Sequence, residues 1–396
     1  MSYPSWVRMA DRALTMAAAQ IKLIRSVTPT NADSELALLE QAFRRGVQRL
    51  PRWRYDPPPI VPELPRALDA LAAFLEKDPP LGSIYAGRAR ELRLEAELVE
   101  AIGTSRMTSV ARERFLGSSS EQLADAEEAD GLALSWTARA PESGRGESAG
   151  DVLADQAVRS CDTQDPRSLF CRLSLEVGRK KLPVRVCVQE GMASLAATGD
   201  GVILVSANKL LATRDIERTV LHEIEGHALP RARAARAPLA LFAIGTARGI
   251  DDQEGRAIAI EEKAGFLDHR RKFELGCRHL AARATLEGAD FAEVVGLLRA
   301  RGATIEAALR IAARVQRGSR GDGGLAREIV YLPARCKLQR LAASPEGLKI
   351  EGVMRGGRIA ANVALLLAAL LDEPAGKGGP FRPAPRAKGA ASNQAR

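Results

Sequence analysis

LHEIEGHAL, from Leu221 to Leu229, decides how this chain is read. It holds two of the four histidines in 396 residues, arranged His222-Glu223-x-x-x-His227. Ile216, Val220 and Ile224 recur at helical spacing, which predicts a helix from Thr213, its cap, to Leu229, stopped by Pro230. Two imidazoles with a glutamate beside the first are the makings of a divalent-metal site. The familiar metal motif spaces its histidines four apart, on one helix face. Five apart, they diverge by about 140° on a regular helix, too far for one ion. The helix must therefore widen between them. A one-residue π-bulge does this, and Gly226 makes the distortion cheaper. Irregular helix geometry is predicted between Glu223 and His227.

Upstream, KLPVRVCV and GVILVS carry β-branched residues and are separated by the turn signal Gly199-Asp200-Gly201, so they read as two strands, paired as a hairpin. Downstream, a second helix starts near Asp251-Asp252, whose carboxylates suit a helix N-terminus, and continues to Gly265. A catalytic metal usually takes a third protein ligand, and Asp251, Asp252, Glu254, Glu261 and Glu262 all qualify by spacing. Further helices fill Arg271 to Val315 and Met354 to Leu371. Residues 11–117 read as an N-terminal helical region, with Asn31 as a cap and PRWRYDPPP, Pro51 to Pro59, as an extended connector. Residues 118–165 are acidic and glycine-bearing and read as a flexible linker. Residues 166–372 carry the motif, and 373–396 read as a disordered basic tail.

Apolar residues at 46% and charged residues at 27% exclude global disorder. The net charge of +9 invites a nucleic-acid partner. Five of those charges (Lys377, Arg382, Arg386, Lys388, Arg396) sit in the acid-free tail, however, leaving +4 elsewhere, and no recognition module accompanies them. Nucleic acid is therefore not expected. The five cysteines are scattered without a CxxC pair, which argues against a disulfide framework or a cysteine metal site. No leader is evident, and the longest apolar run, Ile359 to Leu371, is too short to span a bilayer. A cytoplasmic protein without a membrane partner is expected; the oligomeric state is not legible.

DDQEGRAIAIEEKAG, Asp251 to Gly265, resembles the QEGLA segment of the bacterial flavohaemoglobin-expression-modulating QEGLA-motif proteins. That family shares a domain with the eukaryotic microtubule-associated tyrosine carboxypeptidases and carries HEIGTH where this chain has HEIEGH. SVTPTNADSE (Ser26 to Glu35), PRWRY, RVQRGSRGDGG (Arg314 to Gly324) and IVYLP (Ile329 to Pro333) extend the similarity over most of the chain. The resemblance implies an α+β, zincin-like metallopeptidase fold, mostly helical, with a small mixed β-sheet over the active-site helix, in residues 166–372. It implies Zn2+ held by His222, His227 and Glu254, with Glu223 as general base. The implied reaction is hydrolysis at a peptide or protein C-terminus, releasing Tyr or Phe.

Within that frame, Glu261 and Glu262 are candidates to orient a histidine. Arg314 and Arg317 would bind the substrate carboxylate or support the site, because a guanidinium fork matches two oxygens. Tyr331 could donate to the developing oxyanion. Two residues depart from the family pattern: Glu225-Gly226 stands for Gly-Thr, and Arg256 for the leucine of QEGLA. If the side chains of Glu225 and Arg256 meet, their charges cancel. The alternative to an enzyme is a regulatory or binding protein with a vestigial or latent metal site.

Overall fold

Small residues set the geometry of the centre. In the computed structural model, which describes residues 3–141, 157–192, 194–199, 201–207 and 209–372, the helix Gly249–Lys263 runs between two neighbours at close range. On one side Gly226 meets Ala257, and a Cβ added at Gly226 would lie 2.7 Å from the Ala257 methyl. On the other side Gly255 meets Ala334 on the helix Tyr331–Ala342, where an added Cβ would lie 2.6 Å away. Both contacts need glycine, and together they fix where residues 253, 254 and 261 point.

The histidine segment is a π-helix, His222–Ala228, between the α-helices Thr213–Leu221 and Leu229–Ala234. The irregularity anticipated from the five-residue spacing is thus present and spans the whole motif. Pro230 does not stop the helix. It lies in the first turn of the α-helical piece that follows, where a missing N–H costs least. The cap position at the start of Thr213–Leu221 belongs to Ala212.

The strands correct the hairpin expectation. β1 (Val158–Arg159) pairs antiparallel with β5 (Leu210–Leu211). β2 (Arg185–Gln189) is parallel to β4 (Val202–Ser206), with Cys187 opposite Leu204. The strand antiparallel to β4 is β3 (Ala196–Gly199), with Thr198 opposite Ile203, giving the order β2-β4-β3. The Gly199–Gly201 turn signal does join a hairpin, but its other arm is the short alanine-rich β3, which has little β-forming composition. The sheet buries Ile203 and Val205 against Leu169, Leu173, Ile216, Val220 and Ile224, and β3 lies against the π-helix. The result is an α+β fold, mostly helical, with small sheets.

The division into an N-terminal region and a separate motif-bearing region does not describe the packing. Leu39, Trp53, Leu98, Met107 and Phe115 share one apolar cluster with Ile258, Phe273, Phe291, Leu309 and Leu332. A second cluster joins Leu14, Leu75, Tyr85 and Leu92 to Leu241, Phe242, Ile350 and Leu367. Nor is the start of 118–165 a linker. Ser119 and Gln122 form a capping box, and the helix Ser120–Trp136 buries Ala129 and Ala133 against the Gly276 region of the helix His269–Glu287. Residues 142–156 of that segment, and 373–396 of the tail, lie outside the described residues. Asn31 precedes the helix Ala32–Arg44 without capping it. Its amide instead spans the Arg52 carbonyl and the Arg54 N–H, pinning the proline-rich connector. Among the described residues no helix is long and apolar enough to cross a membrane.

Candidate active site

The π-helix brings both imidazoles to one side. His222 Nε2 and His227 Nε2 stand 3.2 Å apart, and each is 3.7 Å from Glu254 Oε2. Among the described residues these three form the cluster of ligand type. Four donors around a tetrahedral zinc ion are separated by about 3.4 Å, so the three distances bracket what such an ion requires.

Hydrogen bonds fix which ring nitrogens face inward. His222 Nδ1 donates to Glu261 Oε1 at 2.6 Å, and His227 Nδ1 donates to Gln253 Oε1 at 3.1 Å. Both Nε2 atoms therefore face one another and a carboxylate oxygen. Such convergence is repulsive without a cation between them, and it is the arrangement a divalent ion relieves. Titration reflects the same field. With no ion between them a proton fills that role: burial opposes charge on His222, yet Glu254 and Glu261 outweigh it and push the imidazole up to about 10, so a bound cation would displace a proton. Burial likewise resists charge on Glu254, but His227, His222 and Arg327 hold its carboxyl well below the usual range.

Of the five acids downstream of the motif, only Glu254 turns its carboxylate to both histidines. Glu261 supports from behind, fully buried and clamped by Arg271 through Nε at 2.9 Å and Nη2 at 3.1 Å. Asp251 pairs with Arg114 at 2.8 Å, and Asp252 pairs with Lys337 and accepts from the Ala361 N–H. Glu262 faces away, binding Arg335 and Gln339, because one residue turns a helix by about 100°. It is removed from the set expected to orient a histidine.

Glu223 is buried beside the cluster and accepts a bond from Thr198 Oγ1 on β3 at 2.7 Å, which leaves its second oxygen open. Tyr331 is buried as well, with its hydroxyl accepting from Arg314 Nη2 at 3.3 Å; burial first, and then the charge of Glu254, raise its pKa. Arg314 also donates through Nε to Glu328 at 2.6 Å. Arg317 is committed to structure, donating to Glu328 at 3.1 Å and to the Arg314 carbonyl at 2.8 Å. The side chains of Glu225 and Arg256 do not meet as an ion pair. Glu225 is held by Lys180 at 2.9 Å, while Arg256 pairs with Glu351 and reaches Glu225 only at its backbone carbonyl, 3.1 Å away.

Sequence reasoning missed Thr198, Gln253, Arg271, Arg327 and Glu328. Gln253 adjoins Glu254 in the QEG triplet, so its role was within reach. Arg327, which donates to Glu254 Oε1 at 3.1 Å, carries no local signal among 47 arginines.

A helical fold whose central crossing holds two histidines and a glutamate, with a second glutamate alongside, has the parts of a metal-assisted hydrolase. The family model described as microtubule-associated tyrosine carboxypeptidase matches residues 40–378, and the chain belongs to that family. Membership implies activity of the carboxypeptidase type on a peptide or protein. No curated protein matches the chain.

Proposed function

We propose that this protein is a zincin-like, zinc-dependent carboxypeptidase that releases a C-terminal Tyr or Phe. The observation that carries this reading is the convergence of two Nε2 atoms and the Glu254 carboxylate, beside an open oxygen of Glu223. The donor set fits a zinc ion: two neutral imidazoles and one carboxylate leave a net positive charge and room for a further ligand. Bound there, zinc supplies Lewis acidity, acidifying a water and polarising the scissile carbonyl.

This chain's own residues would do the rest. Thr198 holds one oxygen of Glu223, so the other takes the proton of the attacking water and passes it to the departing amine. Tyr331, oriented by Arg314, would donate to the oxygen that gains charge. Arg314 keeps donors beyond those used on Glu328 and Tyr331, and these would bind the substrate carboxylate, with Arg317 and Glu328 bracing it.

The test is metal content together with hydrolysis of peptides ending in Tyr, Phe or other residues. About one zinc per chain, and release of the terminal aromatic residue that stops on chelation and returns with zinc, are expected. A protein that holds zinc yet cleaves none of the peptides would favour the regulatory alternative.

A further inference from the structure

The helix Gly249–Lys263 has a second functional face. Glu254 and Glu261, seven residues apart, differ by only about 20° around its axis, and both serve the histidines. Arg256, Ile260 and Lys263 fall about 180° to 240° away from Glu254, on the far side. There they line an open cavity of about 320 Å³, bordered also by Glu225, Arg233 and Arg355 and floored in part by Leu221.

Its charge is unbalanced. Arg256 is buried and shares the single carboxylate of Glu351 with Arg355 (3.1 and 2.8 Å). Arg233 makes one long bond, 3.4 Å, to the Arg355 carbonyl, and no ion pair is recorded for it or for Lys263 among the described residues. Glu225, the one acid lining the cavity among the described residues, is already held by Lys180. Four cations from three elements, Arg256 and Lys263 on one helix, Arg233 on another and Arg355 at the end of a third, thus converge on a concave space of ligand size with an apolar wall, where their summed field attracts an anion.

We infer that this cavity binds a small, multiply charged anion bearing phosphoryl groups, at a site separate from the histidine cluster. Guanidinium forks and an ammonium from several directions suit a phosphoryl group's tetrahedral oxygens. Leu221 and Ile260 suit an apolar body attached to it. The ligand lies one side chain from the π-helix, because Arg256 also donates to the Glu225 carbonyl between the two histidines.

The test is calorimetric titration of the full chain with inorganic pyrophosphate, and separately with citrate, at constant ionic strength. Saturable, one-to-one pyrophosphate binding is expected, with citrate weaker. Arg233→Glu combined with Lys263→Glu should weaken it by about tenfold or more, since each removes a charged donor. Both residues are exposed, so circular dichroism should be unchanged. Arg256→Leu should weaken it similarly. No saturable heat, or equal affinity in the double variant, would overturn the inference; equal affinity would move binding to the metal cluster or to the cations from Lys377 to Arg396. Citrate binding without pyrophosphate binding would overturn the phosphoryl assignment.

Discussion

At the level of single side chains, the groups proposed to do the chemistry have separable roles. Glu223→Gln should keep its zinc and its hydrogen bond from Thr198 while losing about 100-fold or more in kcat, since an amide accepts no proton. Metal analysis beside steady-state rates checks this, and unchanged kcat would remove Glu223 as the base. Glu261→Gln should lower zinc affinity about 10- to 100-fold in competition with a chelator, because the buried carboxylate fixes the His222 tautomer. These residues were legible to different degrees. The histidines and Glu223 lie within six residues, so spacing alone exposed them. Glu254 needed the family resemblance, since five acids fitted the spacing and only tertiary pairing with Arg114, Lys337 and Arg335 withdraws three of them. Thr198 and Arg327 reach the centre across the fold and left no pattern to read.

At the level of elements, the π-helix follows from a count of residues: ligands five positions apart on one side are incompatible with 3.6 per turn. It also explains why Gly226 is where it is. The widened segment crosses Gly249–Lys263 so closely that Gly226→Ala would drive its methyl against Ala257. Such overpacking should cost about 1–3 kcal/mol, read as a lower unfolding midpoint and weaker zinc binding. Ala257→Gly in the same chain should restore much of both. A fully stable single variant would show that the crossing has room for a methyl group. The sheet was harder to read, because turn signals reveal that a strand reverses but not which neighbour it joins. β2 and GVILVS are both rich in β-branched residues, and their likeness hid the intervening β3 that makes them parallel.

For the whole molecule, buried carboxylates tie stability to pH. Burial resists charge on Asp251, Glu261, Glu274 and Glu328, yet Arg114, Arg271, Arg278 and Arg317 beside them hold all four below their ordinary values. Each therefore contributes stability in full above the unfolded carboxyl range, near pH ~4, and loses it as pH falls through the depressed folded value. Glu91, which burial raises, runs the other way but is outnumbered. Urea midpoints should thus drop on acidification below about pH 4, and Glu328→Gln should make that drop shallower. A midpoint insensitive to acid would contradict these pairings.

The shared interior has a practical corollary. Helices near both chain ends shelter the same apolar side chains, so residues 166–372 are not an excisable cassette: expressed alone, they would bare Ile258, Phe273, Phe291 and Leu332 to water and aggregate. Cutting within 142–156 instead should leave two fragments that reassociate when mixed, each supplying what the other lacks.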